Sequence, residues 1–375
     1  MKNVIDLFSG VGGLSLGAAR AGFNVCAAVE LDNHARSTHS VNFPFSKHIG
    51  EDISKLSGTK LLNLAGIKNE DLYGLIGGPP CQGFSSMGKN NPTDERNNLF
   101  FHFFRLVKET QPKFFLAENV PGIMNTKHDN LRRQAFSIIE DDYIILDPIK
   151  AVANDYGAPT TRTRYFFVGF NKKHFSKSDL NSIDFSPPLE VGVINVKKAL
   201  SGLPKRINSQ LITDDEGWKK VDKKMLSSSD WFYHRVKGHI PDNVGDQLTI
   251  ERYEENHLVS GCMGTRHSPN VAHRYKELDI GKTDPISRSP KLDPNGFCPT
   301  LRAGTASDRG SFQAVRPIHF DFPRVITPRE AARLQGFPDW FRFHHTKWHS
   351  FRQIGNSVSP LVAEAMLSVI YKKIT

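Results

Sequence analysis

Short apolar runs alternate with helically spaced stretches along the first 170 residues. Residues 4–8 are apolar and strand-like, a glycine-rich turn follows, and residues 14–21 repeat their apolar positions at helical spacing. Residues 24–29 give a second strand signal and 32–41 a second helix. Residues 72–76 read as a strand that ends in Gly77-Gly78-Pro79-Pro80, a loop because two glycines and two prolines continue neither element. Residues 99–108 are helical, and 113–117 and 164–170 are strands. Strands alternating with helices predict a mostly parallel sheet covered on both faces, an α/β, doubly wound domain.

The pattern changes near residue 170. Residues 171–323 are rich in Ser, Asn, Asp, Pro and Gly, with short apolar runs and few convincing helices. They predict a second, smaller, loop-rich domain. Thr327-Pro328-Arg329-Glu330 then reads as a helix start, with a Thr cap, Pro at the first helical position and Glu three residues after the cap. Residues 359–372 predict a last amphipathic helix. The expected division is 1–170, 171–323, and a segment 324–375 that returns to complete the first domain. Residues near both ends should therefore build one site.

Composition narrows the function classes. A chain of 375 residues, 38% hydrophobic and 23% charged, fits a folded protein with one large core and a smaller one. No run approaches the ~18–20 apolar residues of a bilayer span, and the first residues lack the features of an export signal. The expectation is a cytoplasmic protein without a membrane partner. Cys26, Cys81, Cys262 and Cys298 form no C-x-x-C pair, so neither a disulfide framework nor a zinc site is expected. The net charge of +10 points to an anionic partner, nucleic acid first, met by a folded surface because no block of Lys or Arg forms a tail.

Candidate chemistry gathers at predicted strand ends. Gly10, Gly12 and Gly13 lie between the first strand and first helix, where backbone amides can approach a ligand. Ser15 stands where a dinucleotide fingerprint would have its third glycine. Glu30 ends the second strand and could accept both hydroxyls of a ribose, and Asp52 follows the third strand-like segment. Cys81, after Pro79-Pro80, is held on a stiff loop, as a nucleophile requires. Glu118 emerges from the next apolar strand at the same sheet edge.

In these blocks the chain closely resembles the DNA cytosine carbon-5 methyltransferases. The matching segments are DLFSGVGGLSLG, GGPPCQGFS, RNNLFF, AENVPG, the Arg-Thr-Arg of 162–164, TPREAARLQGFPD and QIGNSV, in the family's order. The resemblance implies that Cys81 adds to carbon 6 of cytosine, that Glu118 protonates ring nitrogen 3, and that Arg162 and Arg164 hold the base and its phosphate. It implies S-adenosyl-L-methionine as cofactor and S-adenosyl-L-homocysteine as product. Phe8, Gly10, Gly12, Glu30, Leu31, Asp52, Ile53, Pro79, Leu99, Asn356 and Ser357 match the cofactor contacts. Thr160 departs from the family, which has Gln there, and this touches base-holding geometry.

Residues 171–323 occupy the place of the target-recognition domain, where Trp218, Trp231, Tyr233, Arg235, Arg266, His267, Arg302 and Arg309 are candidates for reading DNA. Residues 82–97 read either as a mobile lid or as a plain surface loop with no closing motion. Arg324, Arg329, Arg333, Arg342, Lys347 and Arg352 read either as a phosphate track or as a solvated surface. The implied partner is double-stranded DNA, with a companion restriction endonuclease as family habit, and the expected state is a bacterial monomer. The rivals are a tRNA cytosine-5 methyltransferase, whose Cys-Phe-Thr tripeptide is missing at Phe297-Cys298-Pro299-Thr300, a nicotinamide oxidoreductase, and a DNA-binding module with idle chemistry.

Overall fold

The structure is a computed structural model describing residues 1–80, 98–177, 181–207, 216–222, 230–238, 240–303 and 315–374. The first half runs β1 (Asn3–Leu7), α1 (Gly13–Arg20), β2 (Asn24–Val29), α2 (Asn33–Asn42), β3 (Lys47–Ile49), α3 (Gly58–Ala65) and β4 (Leu72–Gly77). It continues with α4 (Asn98–Thr110), β5 (Phe114–Asn119), α5 (Asp129–Ser137), β6 (Tyr143–Ile145), β7 (Ile149–Val152) and β8 (Thr163–Asn171). These strands form one sheet in the order β3-β2-β1-β4-β5-β8-β6, with β7 also paired to β8.

β1 through β5 pair in parallel, as the alternation predicts. β8 runs antiparallel to β5, β6 and β7. Periodicity carries no sign of strand direction, so this mixed edge is what the pattern misses. The strand period of two divides the core. Val4, Ile76, Phe114, Leu116, Phe166 and Val168 face one side, with the apolar residues of α1. Ile5, Leu7, Leu75, Phe115, Ala117 and Phe167 face the other, under α3 and α4.

Strand order reverses between β1 and β4, and both strands end at one edge. The crevice beyond their carboxyl ends is where open α/β sheets bind ligands. The glycine turn after Leu7 and the loop after Gly77 both open there.

The following region holds α6 (Val196–Leu200), β9 (Lys219–Lys220), α7 (Trp231–Val236), α8 (Gln247–Asn256), β10 (Leu258–Val259) and α9 (Pro269–Glu277). Four helices among the described residues are more than the sequence signals. They are short, and each starts on a polar cap: Asn195, Asp230, Asp246 and Ser268. Such caps read as loop composition when helices are this brief.

The chain ends with α10 (Pro328–Leu334), α11 (Lys347–Asn356) and α12 (Pro360–Lys373). Thr327 and Glu330 form the expected capping box, with Pro328 in the first turn. The apolar stretch Lys347–Lys373 is broken between α11 and α12 and mostly buried, so it is core. α12 lies so close on α1 that a Cβ on Gly17 would come 2.3 Å from Ala363 Cβ. That contact brings the end of the chain to its first helix.

Candidate active site

The glycine turn is shaped by left-handed backbone. Phe8, Gly10 and Gly12 have φ of 60°, 55° and 100°. A side chain at Gly12 would strike the Phe43 ring at 2.4 Å, and one at Gly13 would meet Ser357 Oγ at 2.2 Å. A Cβ on Gly10 would meet nothing within 4 Å, so at that residue the turn opens onto free space. Ser357 and Val358, more than 340 residues away, thus form one wall of the turn.

Glu30, just past β2, accepts from the Gly10 amide at 2.9 Å and the Asp32 amide at 2.8 Å. Burial raises its pKa, against the pull of these amides. Leu31 beside it is 62% exposed, an apolar surface next to a carboxylate. Asp52 accepts from the Ser54 amide at 2.9 Å, which lowers its pKa. Ile53 is buried, and its carbonyl takes a bond from Arg105 at 3.0 Å. Leu99 lies half-buried in the first turn of α4. Asn356 is exposed, and Ser357 donates to the Val358 carbonyl at 3.1 Å. An open backbone, a partly satisfied carboxylate and an exposed apolar side chain together fit a nucleoside, so an adenosyl cofactor suits these residues.

The second half of the crevice is built on β5. Glu118 is 8% exposed, and its Oε1 lies 2.5 Å from Arg164 Nε. Its other oxygen would be 3.0 Å from a Cβ on Gly78. Asn119 Nδ2 lies 3.5 Å from the Pro79 carbonyl. The carboxylate therefore sits directly under the start of the Pro-Pro-Cys loop. Cys81 and residues 82–97 lie outside the described residues. The remaining cysteines are free, with Cys262 and Cys298 buried and Cys26 half-buried. Burial pushes the Cys26 and Cys262 thiols up to about 12 and raises Cys298, so none of the three offers a thiolate.

Arg162 is placed differently from Arg164. It is 3% exposed and donates to the carbonyls of Leu301 at 3.2 Å, Gly355 at 2.9 Å and Asn356 at 3.4 Å. Its guanidinium ties the residue before β8 to Leu301 and to the last segment. Thr160, the departure from the family, is fully buried and bridges to Cys298, whose amide bonds the Pro159 carbonyl at 2.9 Å.

The arginines of the last segment require a correction. Arg329 and Arg333 are buried, so they belong neither to a phosphate track nor to a solvated surface. Arg329 donates to the carbonyls of Ser260, Pro338 and Phe341, and Arg333 pairs with Asp339 at 2.5 Å. Sequence alone cannot see these carbonyls. Arg324 pairs with Glu330, Arg342 with Glu216 and Arg352 with Asp32, while Lys347 donates to the Gly264 carbonyl.

Among the candidate DNA readers, Arg235 pairs with Glu364 of α12 at 3.1 Å, and Trp231 packs against Gly157. Trp218 lies under Arg252, and His267 accepts from the Val325 amide at 3.3 Å. Tyr233 lies in α7, Arg266 and Arg302 are exposed, and Arg309 is outside the described residues.

One group escaped sequence reading. Asp6, fully buried in β1, accepts from Ser15 Oγ at 2.6 Å. Ser15 Oγ lies 3.0 Å from His39 Nε2, and His39 Nδ1 lies 2.9 Å from His48 Nε2. Ser15 is thus a polar anchor for α1 beneath the glycine turn. Burial pushes Asp6 up to about 7, with Ser15 opposing and Glu30 adding to the rise. The only signal was a charged residue in an apolar strand.

Comparison with known proteins adds to this geometry. Residues 2–372 match the family model for C-5 cytosine-specific DNA methylase. The chain is 40% identical to the Type II methyltransferase M.XorII of Xanthomonas oryzae pv. oryzae, covering 98% of this chain and 84% of that protein. It is 33% identical to the Type II methyltransferase M.DdeI of Desulfomicrobium norvegicum, over 97% and 87%. A crystal structure described as a DNA modification methyltransferase encoded within a prophage (E. coli) is 53% identical, covers 99% of both chains and has a TM-score of 0.88. The cofactor-type crevice, the Glu118 edge and the match over nearly the whole length agree: the chain belongs to the C-5 cytosine-specific DNA methylase family and is a DNA (cytosine-5-)-methyltransferase.

Proposed function

We propose that the enzyme transfers a methyl group from S-adenosyl-L-methionine to carbon 5 of one cytosine within a specific duplex sequence, through a transient bond to Cys81. The observation that carries this reading is Glu118, buried beneath Gly78 at the start of the Pro-Pro-Cys loop and paired with Arg164. The cofactor, when bound, supplies an electrophilic methyl group and leaves as S-adenosyl-L-homocysteine. Glu30 holds the ribose, Asp52 and Ile53 the adenine edge, Leu31 and Leu99 its faces. The backbone around Phe8, Gly10 and Gly12, with Pro79, Asn356 and Ser357, encloses the rest.

A cytosine stacked in a duplex is out of reach, so the base is rotated into the crevice. Cys81 sulfur bonds to carbon 6 while Glu118 delivers a proton to ring nitrogen 3, which leaves an electron-rich carbon 5. Carbon 5 takes the methyl group, a base removes the carbon-5 proton, and the electrons of that C–H bond expel the sulfur. Arg164 aims the Glu118 carboxylate. Arg162 positions the strand that carries Arg164, acting through the backbone.

In this reading residues 171–323 form the target-recognition region, with exposed Arg266 and Arg302 as its leading candidates. The relatives named Type II methyltransferases support the role of modification enzyme beside a companion endonuclease. A monomer acting in the bacterial cytoplasm fits that role. The test is methyl transfer from labelled cofactor to duplex DNA by the parent enzyme and by Cys81→Ser. The variant should lose methylation and keep DNA binding. Turnover near the parent rate would remove Cys81 as nucleophile, and labelling of tRNA in place of DNA would overturn the substrate.

A further inference from the structure

The crevice explains the residues around β1, β4 and β5, but not a histidine cluster at the outer edge of α2. His34 lies in the first turn of α2. His344 precedes α11, and His349 lies within it. One ligand atom from each falls within 4.8 Å of the others. His34 Nδ1 and His344 Nε2 are 3.1 Å apart. Two nitrogens on one tetrahedral zinc ion lie roughly 3.3 Å apart, from Zn–N bonds of about 2.0–2.1 Å.

We propose that His34, His344 and His349 bind one divalent transition-metal ion of the zinc class, which clamps α2 to the C-terminal segment.

The backbone beneath the cluster is already fixed. Gln353, 7% exposed, accepts from the His344 amide at 3.1 Å and donates to the His34 carbonyl at 3.2 Å. A single buried amide thus sets the spacing of the two segments that carry the ligands, as a preorganised site requires.

His344 Nδ1 accepts from the Thr346 amide at 3.1 Å, which leaves the proton on Nε2. On metal capture through Nε2 that proton is held on Nδ1, which then donates to Thr346 Oγ1 at 3.0 Å and no longer accepts from the Thr346 amide. The His34 and His349 rings, centroids 3.9 Å apart, spread to the roughly 5 Å that two imidazoles on one tetrahedral ion keep. His34 is exposed and has room to turn. The expectation of no metal rested on cysteine spacing, which says nothing of histidines about 310 positions apart.

The experiment uses the untagged full chain, stripped with a chelator and titrated with zinc chloride while heat release and melting temperature are followed. One ion per chain and a rise in melting temperature are expected, with loss of both on adding chelator. His34→Ala/His349→Ala should weaken zinc binding at least ~10-fold, with metal-free melting within ~2 °C of the parent. His345→Ala, which alters a neighbour outside the trio, should bind as the parent does. No uptake by the parent, or uptake that the double variant retains, would overturn the proposal. If the double variant melts early, His34→Gln alone decides the matter by the same binding criterion.

Discussion

Asp6 is an acid fully buried in an apolar strand, with the Ser15 hydroxyl against it and Glu30 near enough to raise its pKa. Its pKa is 3.8 in an unconstrained chain and about 7 when folded, so the folded protein holds its proton over that interval. Stability conferred by that proton is complete below about pH 4 and is lost as pH rises towards 7, by ~4 kcal/mol in total. Glu30, also raised by burial, adds a slope of the same sign. Asp6→Asn should therefore flatten the fall in urea-unfolding free energy between pH 4 and 8 but leave a remnant due to Glu30. An unchanged slope would show that Asp6 is not the group responsible.

The glycines separate conformational need from ligand need. Gly12→Ala forces a left-handed residue against the Phe43 ring and should cost roughly 3 kcal/mol or more. Gly10→Ala meets no neighbour, so it should cost only the left-handed backbone term, ~1–2 kcal/mol. Its methyl nevertheless projects into the space assigned to the cofactor. Melting curves should rank Gly12→Ala as the worse folder, and cofactor titration should show weakened binding by folded Gly10→Ala.

Among the elements, β8 carries Arg164 and is preceded by Arg162, two positions away with unlike surroundings. Arg162→Ala strands the carbonyls of Leu301, Gly355 and Asn356 and should cost ~3 kcal/mol or more, lowering melting temperature before any rate is read. Arg164→Ala unpairs Glu118 and should depress kcat with a smaller change in melting, partly rescued by Arg164→Lys. Equal melting losses would contradict this division. In sequence both arginines belong to one motif, and only the contacts separate them. The strands β1, β2, β4 and β5 were legible because their apolar runs end in glycine or acid. β6 and β7 were not, since three- and four-residue edge strands carry little pattern.

Across the whole molecule, formal charge overstates what is available to DNA. Arg329 and Arg333 count towards the +10 but lie buried on carbonyls and Asp339. Exposed Arg302 remains free to meet a phosphate. Arg302→Ala should keep the parent melting temperature and reduce the salt dependence of DNA affinity by about 1 in log–log slope. Arg333→Ala should lower melting and leave the slope of any folded fraction unchanged. Binding data over a range of salt would show the reverse if the assignment is wrong. The crevice was legible because its residues stand in contiguous blocks. The Gln353 bridge, the Ser15 anchor and the buried arginines were not, because each depends on a partner far away in the chain.

Ser357 and Val358 press against Gly13, so the turn beside β1 takes its far wall from residues more than 340 positions further along the chain. Under the proposed reading, a chain cut before Ser357 should bind S-adenosyl-L-methionine more weakly than the full chain, although Glu30, Glu118 and Arg164 would all be present.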